Sequence, residues 1–126
     1  MTRPFIASVL GGLAIVLYAY AWLAWSTPAH AADCRGTWVV VSWYGSESGN
    51  RTASGKRFDG SQLVAAHRSL PFGTMVKFTY RGRSVTVPIE DRGPFIRGRT
   101  FDLSRAAAAR LGMIEAGVAK VCAERL

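Results

Sequence analysis

Asp91 stands where a carboxyl group can work as a proton carrier. It follows residues 83–90, in which Val85, Val87 and Ile89 alternate with Ser84, Thr86 and Glu90, the period of a half-buried strand. Continuing that alternation sets Asp91 on the apolar face with Ile89 and turns Glu90 to solvent. An acid at the rim of a core is partly desolvated, which favours the proton-bearing form that a general acid requires. The same carboxylate can instead cap the turn at Gly93-Pro94 or pair with Arg92. His67 is the only histidine after residue 32. It can orient Asp91 or a substrate hydroxyl, or it can be a satisfied core histidine. No second histidine or cysteine cluster accompanies it, so neither a metal nor a cofactor is expected. Asp59 either binds substrate in a cleft or caps the Gly60-Ser61 turn.

These residues need a scaffold, and the sequence between them suggests many short strands. Residues 37–44 are rich in valine and aromatics and read as a strand, with Trp43 and Tyr44 pointing to opposite sides. Residues 45–60 carry glycine, serine, asparagine and charge and read as a long surface loop. Residues 62–67 form a short apolar segment. Residues 74–80 and 83–90, joined by Arg81-Gly82, make the best hairpin in the chain. Ser104 is suited to cap a helix running to Leu111, with Ala106–Ala109 supplying propensity and Gly112 the stop. Residues 118–122 read as a last strand. Many strands and one short helix predict an all-β fold, a small barrel.

The first 31 residues have a different character. Residues 5–25 hold no charge and follow Arg3, and Ala29-His30-Ala31 fits a signal-peptidase site. The apolar run is long enough to span a bilayer, so either a cleaved leader or an inner-membrane anchor fits. Both place residues 32–126 outside the cytoplasm, in the periplasm or cell envelope, as one domain. Asp33 before Cys34 argues against a lipoprotein box. The only two cysteines, Cys34 and Cys122, are expected to pair in an oxidising compartment. The chain carries a formal net charge of +8. That surplus suits an anionic polymer such as cell-wall glycan. Export and the lack of any base-reading motif argue against nucleic acid. Arg92, Arg97, Arg99 and Arg105 form either a wall-binding patch or ordinary solvated charge.

Seven short motifs then occur in order: Trp43-Tyr44-Gly45, Thr52-Ala53-Ser54-Gly55, Phe58-Asp59, Ala65-Ala66-His67, Leu70-Pro71-Phe72-Gly73-Thr74, Asp91-Arg92-Gly93-Pro94-Phe95 and Asp102-Leu103-Ser104. Together they resemble the catalytic domain of the rare lipoprotein A (RlpA-like) family over most of residues 38–118. The resemblance implies a six-stranded double-psi β-barrel and lytic transglycosylase action on peptidoglycan glycan strands. It implies Asp91 as the proton carrier, with His67 and Asp59 beside it, and Tyr44, Ser54, Lys56 and Arg92 against the substrate. The repeat domain at the C-terminus of longer relatives is not expected, and division-site proteins are conceivable partners. The family pattern has glutamate where this chain has Lys56. A glutamate there would keep a neighbouring acid protonated by like-charge repulsion, and a lysine favours its ionised form. On that reading Lys56→Glu is expected to raise activity, or Lys56 contacts a muramyl carboxylate. The alternative function is a non-catalytic, expansin-like glycan-binding module. A third is an exported interaction domain.

Overall fold

A computed structural model of the protein describes residues 34–126. The expected leader, residues 1–31, lies outside them. Six strands follow in chain order: β1 (Thr37–Tyr44), β2 (Ala65–His67), β3 (Met75–Tyr80), β4 (Arg83–Asp91), β5 (Phe101–Ser104) and β6 (Val118–Arg125). One helix, α1 (Arg105–Leu111), separates β5 from β6. The strands close into a barrel in the order β1-β5-β2-β4-β3-β6. The β1–β5 and β2–β4 pairs are parallel and the other four antiparallel. This is the all-β barrel with one short helix that the strand pattern predicts.

Alternation fills the interior. Val41 on β1, Phe78 on β3, Val85, Val87 and Ile89 on β4, Phe101 and Leu103 on β5 and Val121 on β6 form one buried cluster. Phe78 and Phe101 meet edge to face with centroids 5.1 Å apart, a favoured aromatic geometry. The β3–β4 hairpin turns on Arg81 and Gly82, both at positive φ (47° and 80°). Two such residues make the tight turn whose twist matches paired strands. Helix α1 begins at Ser104, whose side chain accepts the Ala107 N–H, and ends at Gly112 in the left-handed region. Its buried side, Ala107, Ala108 and Leu111, closes the core with Met113.

Three features differ from the sequence reading. Strand β5 is unanticipated: it has four residues, with Asp102 in the middle, and pairs with strands distant in sequence. The segment 45–60 is not all surface, since Thr52 and Phe58 are buried. The third difference lies in β4. Ala65 pairs with Ile89 but Ala66 pairs with Asp91, so Glu90 is an extra residue in the ladder. Such a bulge re-aims the side chains that follow it. Asp91 therefore shares a face with Ala66 rather than with Ile89, and it points away from the main core. Glu90, expected in solvent, is buried. Alternation along β4 breaks here because an inserted residue reverses the phase.

Candidate active site

The face of the sheet opposite the main core carries the polar side chains. Register aligns Ser42 on β1 with Asp102 on β5, Asp102 with Ala66 on β2, and Ala66 with Asp91 on β4. Neighbours in register project to the same side, so two carboxylates flank the small Ala66. Tyr44, two residues beyond Ser42, lies on the same side and stacks on Phe58 at 4.9 Å between centroids. With Val64 and Ala66 these rings form a second, smaller apolar cluster. The site is therefore a polar row along an apolar floor, built by four strands on the outside of the barrel.

Asp91 is partly buried and anchored on one side only. Its Oδ1 accepts the Ala53 N–H at 2.8 Å and the Arg92 N–H at 2.9 Å. Its Oδ2 accepts no hydrogen bond from the described residues. The Tyr44 hydroxyl beside it is buried and has no partner at hydrogen-bonding geometry. Burial, and then the negative charge of Asp91, push the Tyr44 phenol far above its ordinary range. Asp102 accepts from the Ser42 hydroxyl at 3.0 Å. Burial raises its pKa above the usual carboxylate value, although the Ser42 bond and Arg99 act against that shift. Asp91 adds to the rise through like-charge repulsion.

The expected substrate contacts are differently employed. The Arg92 guanidinium turns away from Asp91, donating to the His67 and Leu70 carbonyls at 3.1 and 2.8 Å and stacking on Phe72 at 4.0 Å. Ser54 bonds Thr52 through their hydroxyls and donates its N–H to the Glu90 carbonyl. Lys56 is largely exposed, and its ammonium pairs with Glu90 Oε1 at 3.0 Å rather than with Asp91. The nearest acidic partner that the structure gives Lys56 is therefore Glu90, a residue that the sequence reading set in solvent.

His67 and Asp59 lie elsewhere. His67 pairs with Phe101, whose side chain is in the main core, so it occupies the face opposite Asp91. Its Nδ1 accepts the Ser69 and Leu70 N–H groups at 3.1 and 3.0 Å, which fixes a neutral ring protonated on Nε2. Burial first, then Arg68 and Arg92, lower its pKa. Asp59 Oδ1 accepts both the N–H and the hydroxyl of Ser61. Those bonds lower its pKa and cap the turn, the second of its two readings. It lines an open cavity of about 630 Å³ with Trp43, Glu47 and Arg105, and Asp91 is not among the lining residues. The indole of Trp43 donates to the Ile114 carbonyl, which leaves Tyr44 as the aromatic of the row. Among the described residues, no three histidine, cysteine, aspartate or glutamate side chains converge to bind a metal. Asp102 is the residue that sequence reasoning passed over, although Phe101 and Leu103 on either side of it signal an outward-facing position.

Comparison with known proteins places this geometry. A family model described as lytic transglycolase matches residues 37–123. A probable endolytic peptidoglycan transglycosylase RlpA of Nostoc is 54% identical over 92 residues, which are 69% of this chain and 25% of that protein. Its counterpart in Aquifex aeolicus is 56% identical over 81 residues, 62% of this chain and 36% of that one. The chain thus spans about a quarter to a third of the length of these relatives. Among solved structures, Streptomyces papain inhibitor superposes with a TM-score of 0.60 at 25% identity, over 71% of this chain and 93% of that one. An expansin of Clavibacter michiganensis, crystallised with cellohexaose, superposes at 0.58 and 20% identity over 71% and 50%. That last likeness is one of fold.

Proposed function

The chain belongs to the lytic transglycolase family of RlpA-like double-psi β-barrels, and from that premise we propose that it is an endolytic peptidoglycan transglycosylase with Asp91 as its proton carrier. The observation that carries this reading is the one-sided anchoring of Asp91. Two backbone N–H groups hold Oδ1, the neighbouring guanidinium is engaged elsewhere, and the buried Tyr44 hydroxyl lies beside the carboxyl group. The protonated carboxyl gives its proton to the glycosidic oxygen between N-acetylmuramic acid and N-acetylglucosamine. The bond from the muramyl anomeric carbon to that oxygen breaks, and the 6-hydroxyl of the same muramyl residue attacks the anomeric carbon. Asp91, now ionised, accepts the proton of that hydroxyl. A 1,6-anhydro end forms and the acid is regenerated. Because the nucleophile comes from the sugar, one carboxyl group suffices where a glycoside hydrolase commonly needs two.

The surroundings suit this task. The buried cluster of Tyr44, Phe58, Val64 and Ala66 packs beneath the polar row and holds its side chains in place. Asp102, partly desolvated on the other side of Ala66, adds a negative potential that stabilises positive charge developing at the anomeric carbon. His67 and Asp59 are supporting residues in this scheme, holding turns rather than touching the reacting atoms. The substrate is the glycan of the wall, met outside the cytoplasm. The Cys34–Cys122 disulfide supports an exported location, and the leader would either be removed or tether the domain to the inner membrane.

Digestion of purified glycan strands in ¹⁸O-labelled water tests the reading. Unlabelled 1,6-anhydro ends are the expected product. Labelled reducing ends would indicate a hydrolase, and co-sedimentation with glycan without new ends would indicate a binding module.

A further inference from the structure

We propose that Lys56 and Glu90 form a latch that fixes the Asp91 carboxylate, so that both are positioning residues; the inference rests on the role given to Asp91 above. Residues 51–57 fold into a small closed loop. Arg51 and Arg57 pair as an isolated bridge. Within it the Thr52 N–H donates to the Lys56 carbonyl at 2.8 Å, and the Gly55 N–H to the Thr52 carbonyl at 2.9 Å. Three bonds tie this loop to the rest of the protein at β4, and they land on two consecutive residues at the bulge. Ala53 N–H reaches Asp91 Oδ1 at 2.8 Å, Ser54 N–H reaches the Glu90 carbonyl at 3.1 Å, and Lys56 Nζ reaches Glu90 Oε1 at 3.0 Å.

The ion pair is the one of the three that answers a buried acid side chain. The Glu90 side chain is 7% exposed and the Lys56 side chain 68%. A carboxylate so far from water is stable only while paired, and loss of its cation drives it to rearrange. Thr52 and Phe58 anchor the ends of the loop, whereas Ala53, Gly55, Lys56 and Arg57 between them are exposed, so the position of its tip depends on the bonds to β4. Lys56 therefore keeps the Ala53 N–H on Oδ1 of Asp91, which leaves Oδ2 to carry the proton. The family pattern places a carboxylate on the loop at position 56. In this chain the carboxylate stands across the contact, on β4, and the cation on the loop. Simple substitution of Lys56 by glutamate then sets two carboxylates against each other and releases the loop, the reverse of the gain expected from sequence.

Hydrogen–deuterium exchange of the Ala53 amide in the full chain tests the latch without reference to activity. Lys56→Met and Glu90→Gln are expected to speed that exchange by about tenfold, the loss of one ordinary hydrogen bond, while the β3 amide of Val76 is unchanged. Lys56→Arg, which retains the cation, is expected to preserve most of the protection. Glycan digestion by Lys56→Met should show kcat lowered by about tenfold with KM within about twofold, the pattern of an interaction expressed in the transition state. Unchanged Ala53 exchange in Lys56→Met overturns the proposal, as does a raised KM with kcat intact, which would make Lys56 a substrate contact. A wild-type chain that forms no anhydro ends would overturn the role of Asp91 instead, and the exchange rates would still decide the latch.

Discussion

One residue inserted into β4 sets which carboxylates meet each other. Without the bulge, Asp91 would sit with Ile89 against the barrel core and Glu90 in water. With it, Asp91 joins Tyr44 and Asp102 on the outer face, and Glu90 is buried under Lys56. Charge is thereby sorted into a matched pair beside the site and an unmatched acidic pair within it. His67 marks the boundary of the site from the other side of the sheet. Its neutral ring accepts two N–H groups, and its pKa is lowered. As pH falls through about 6.5, the unfolded chain takes up a proton on this histidine that the folded chain does not. Stability is therefore expected to decline just below that pH, to level off below the lower native pKa, and to be recovered as pH rises. Chemical denaturation at a series of pH values checks this. His67→Gln should flatten the slope in that window, and an equal slope in both proteins would contradict the assignment.

At the scale of elements, the junction of β5 and α1 holds the polar row in register. The Ser104 side chain accepts the Ala107 N–H at 3.2 Å and the Val64 N–H at 3.3 Å, while Ser104 N–H donates to the Val64 carbonyl. The residue is fully buried, so no water replaces the hydroxyl if it is removed. Ser104→Ala is expected to cost about 2 kcal/mol, the upper range for a helix cap, measured as a lower denaturation midpoint; a loss below about 0.5 kcal/mol would contradict it. This cap was legible in the sequence, as were Gly112 at the helix end, the β3–β4 turn and the inward triad of Val85, Val87 and Ile89. Each rests on a local rule of spacing or turn chemistry. Strand β5 was not legible, because four residues centred on Asp102 gain their stability from partners some sixty residues earlier. The bulge was not legible either, since nothing in Ile89-Glu90-Asp91 distinguishes a paired residue from an extra one. The outward turn of Asp91, and with it the company of Asp102, depended on that single unmarked insertion.

Over the whole molecule, a domain of about ninety residues has limited core and gains from a covalent tie. Cys34 and Cys122 are joined, with Cα atoms 5.6 Å apart across a separation of 88 residues. Closing a loop of that length lowers the entropy of the unfolded chain by an amount worth about 4–5 kcal/mol in the chain-entropy account. The double variant Cys34→Ser/Cys122→Ser should lose stability on that order, and reduction of the native protein should mimic it; unchanged thermal stability would contradict the role. The tie joins the segment before β1 to β6, at strands that pair with each other in the barrel, so it steadies the scaffold without touching the row of Ser42, Asp102, Ala66 and Asp91. A barrel made rigid in this way holds that row in a fixed register. The net charge of +8 favours encounter with an anionic wall.

The proposed chemistry passes through the carboxyl group of Asp91. The most direct measurement compares the full chain and its Asp91→Asn variant on purified glycan strands, counting 1,6-anhydromuramyl ends by mass spectrometry. The account predicts anhydro ends from the wild type and a loss of at least about a thousandfold in the variant, which keeps the native melting profile and still sediments with glycan. Anhydro ends released at a comparable rate by Asp91→Asn would contradict it.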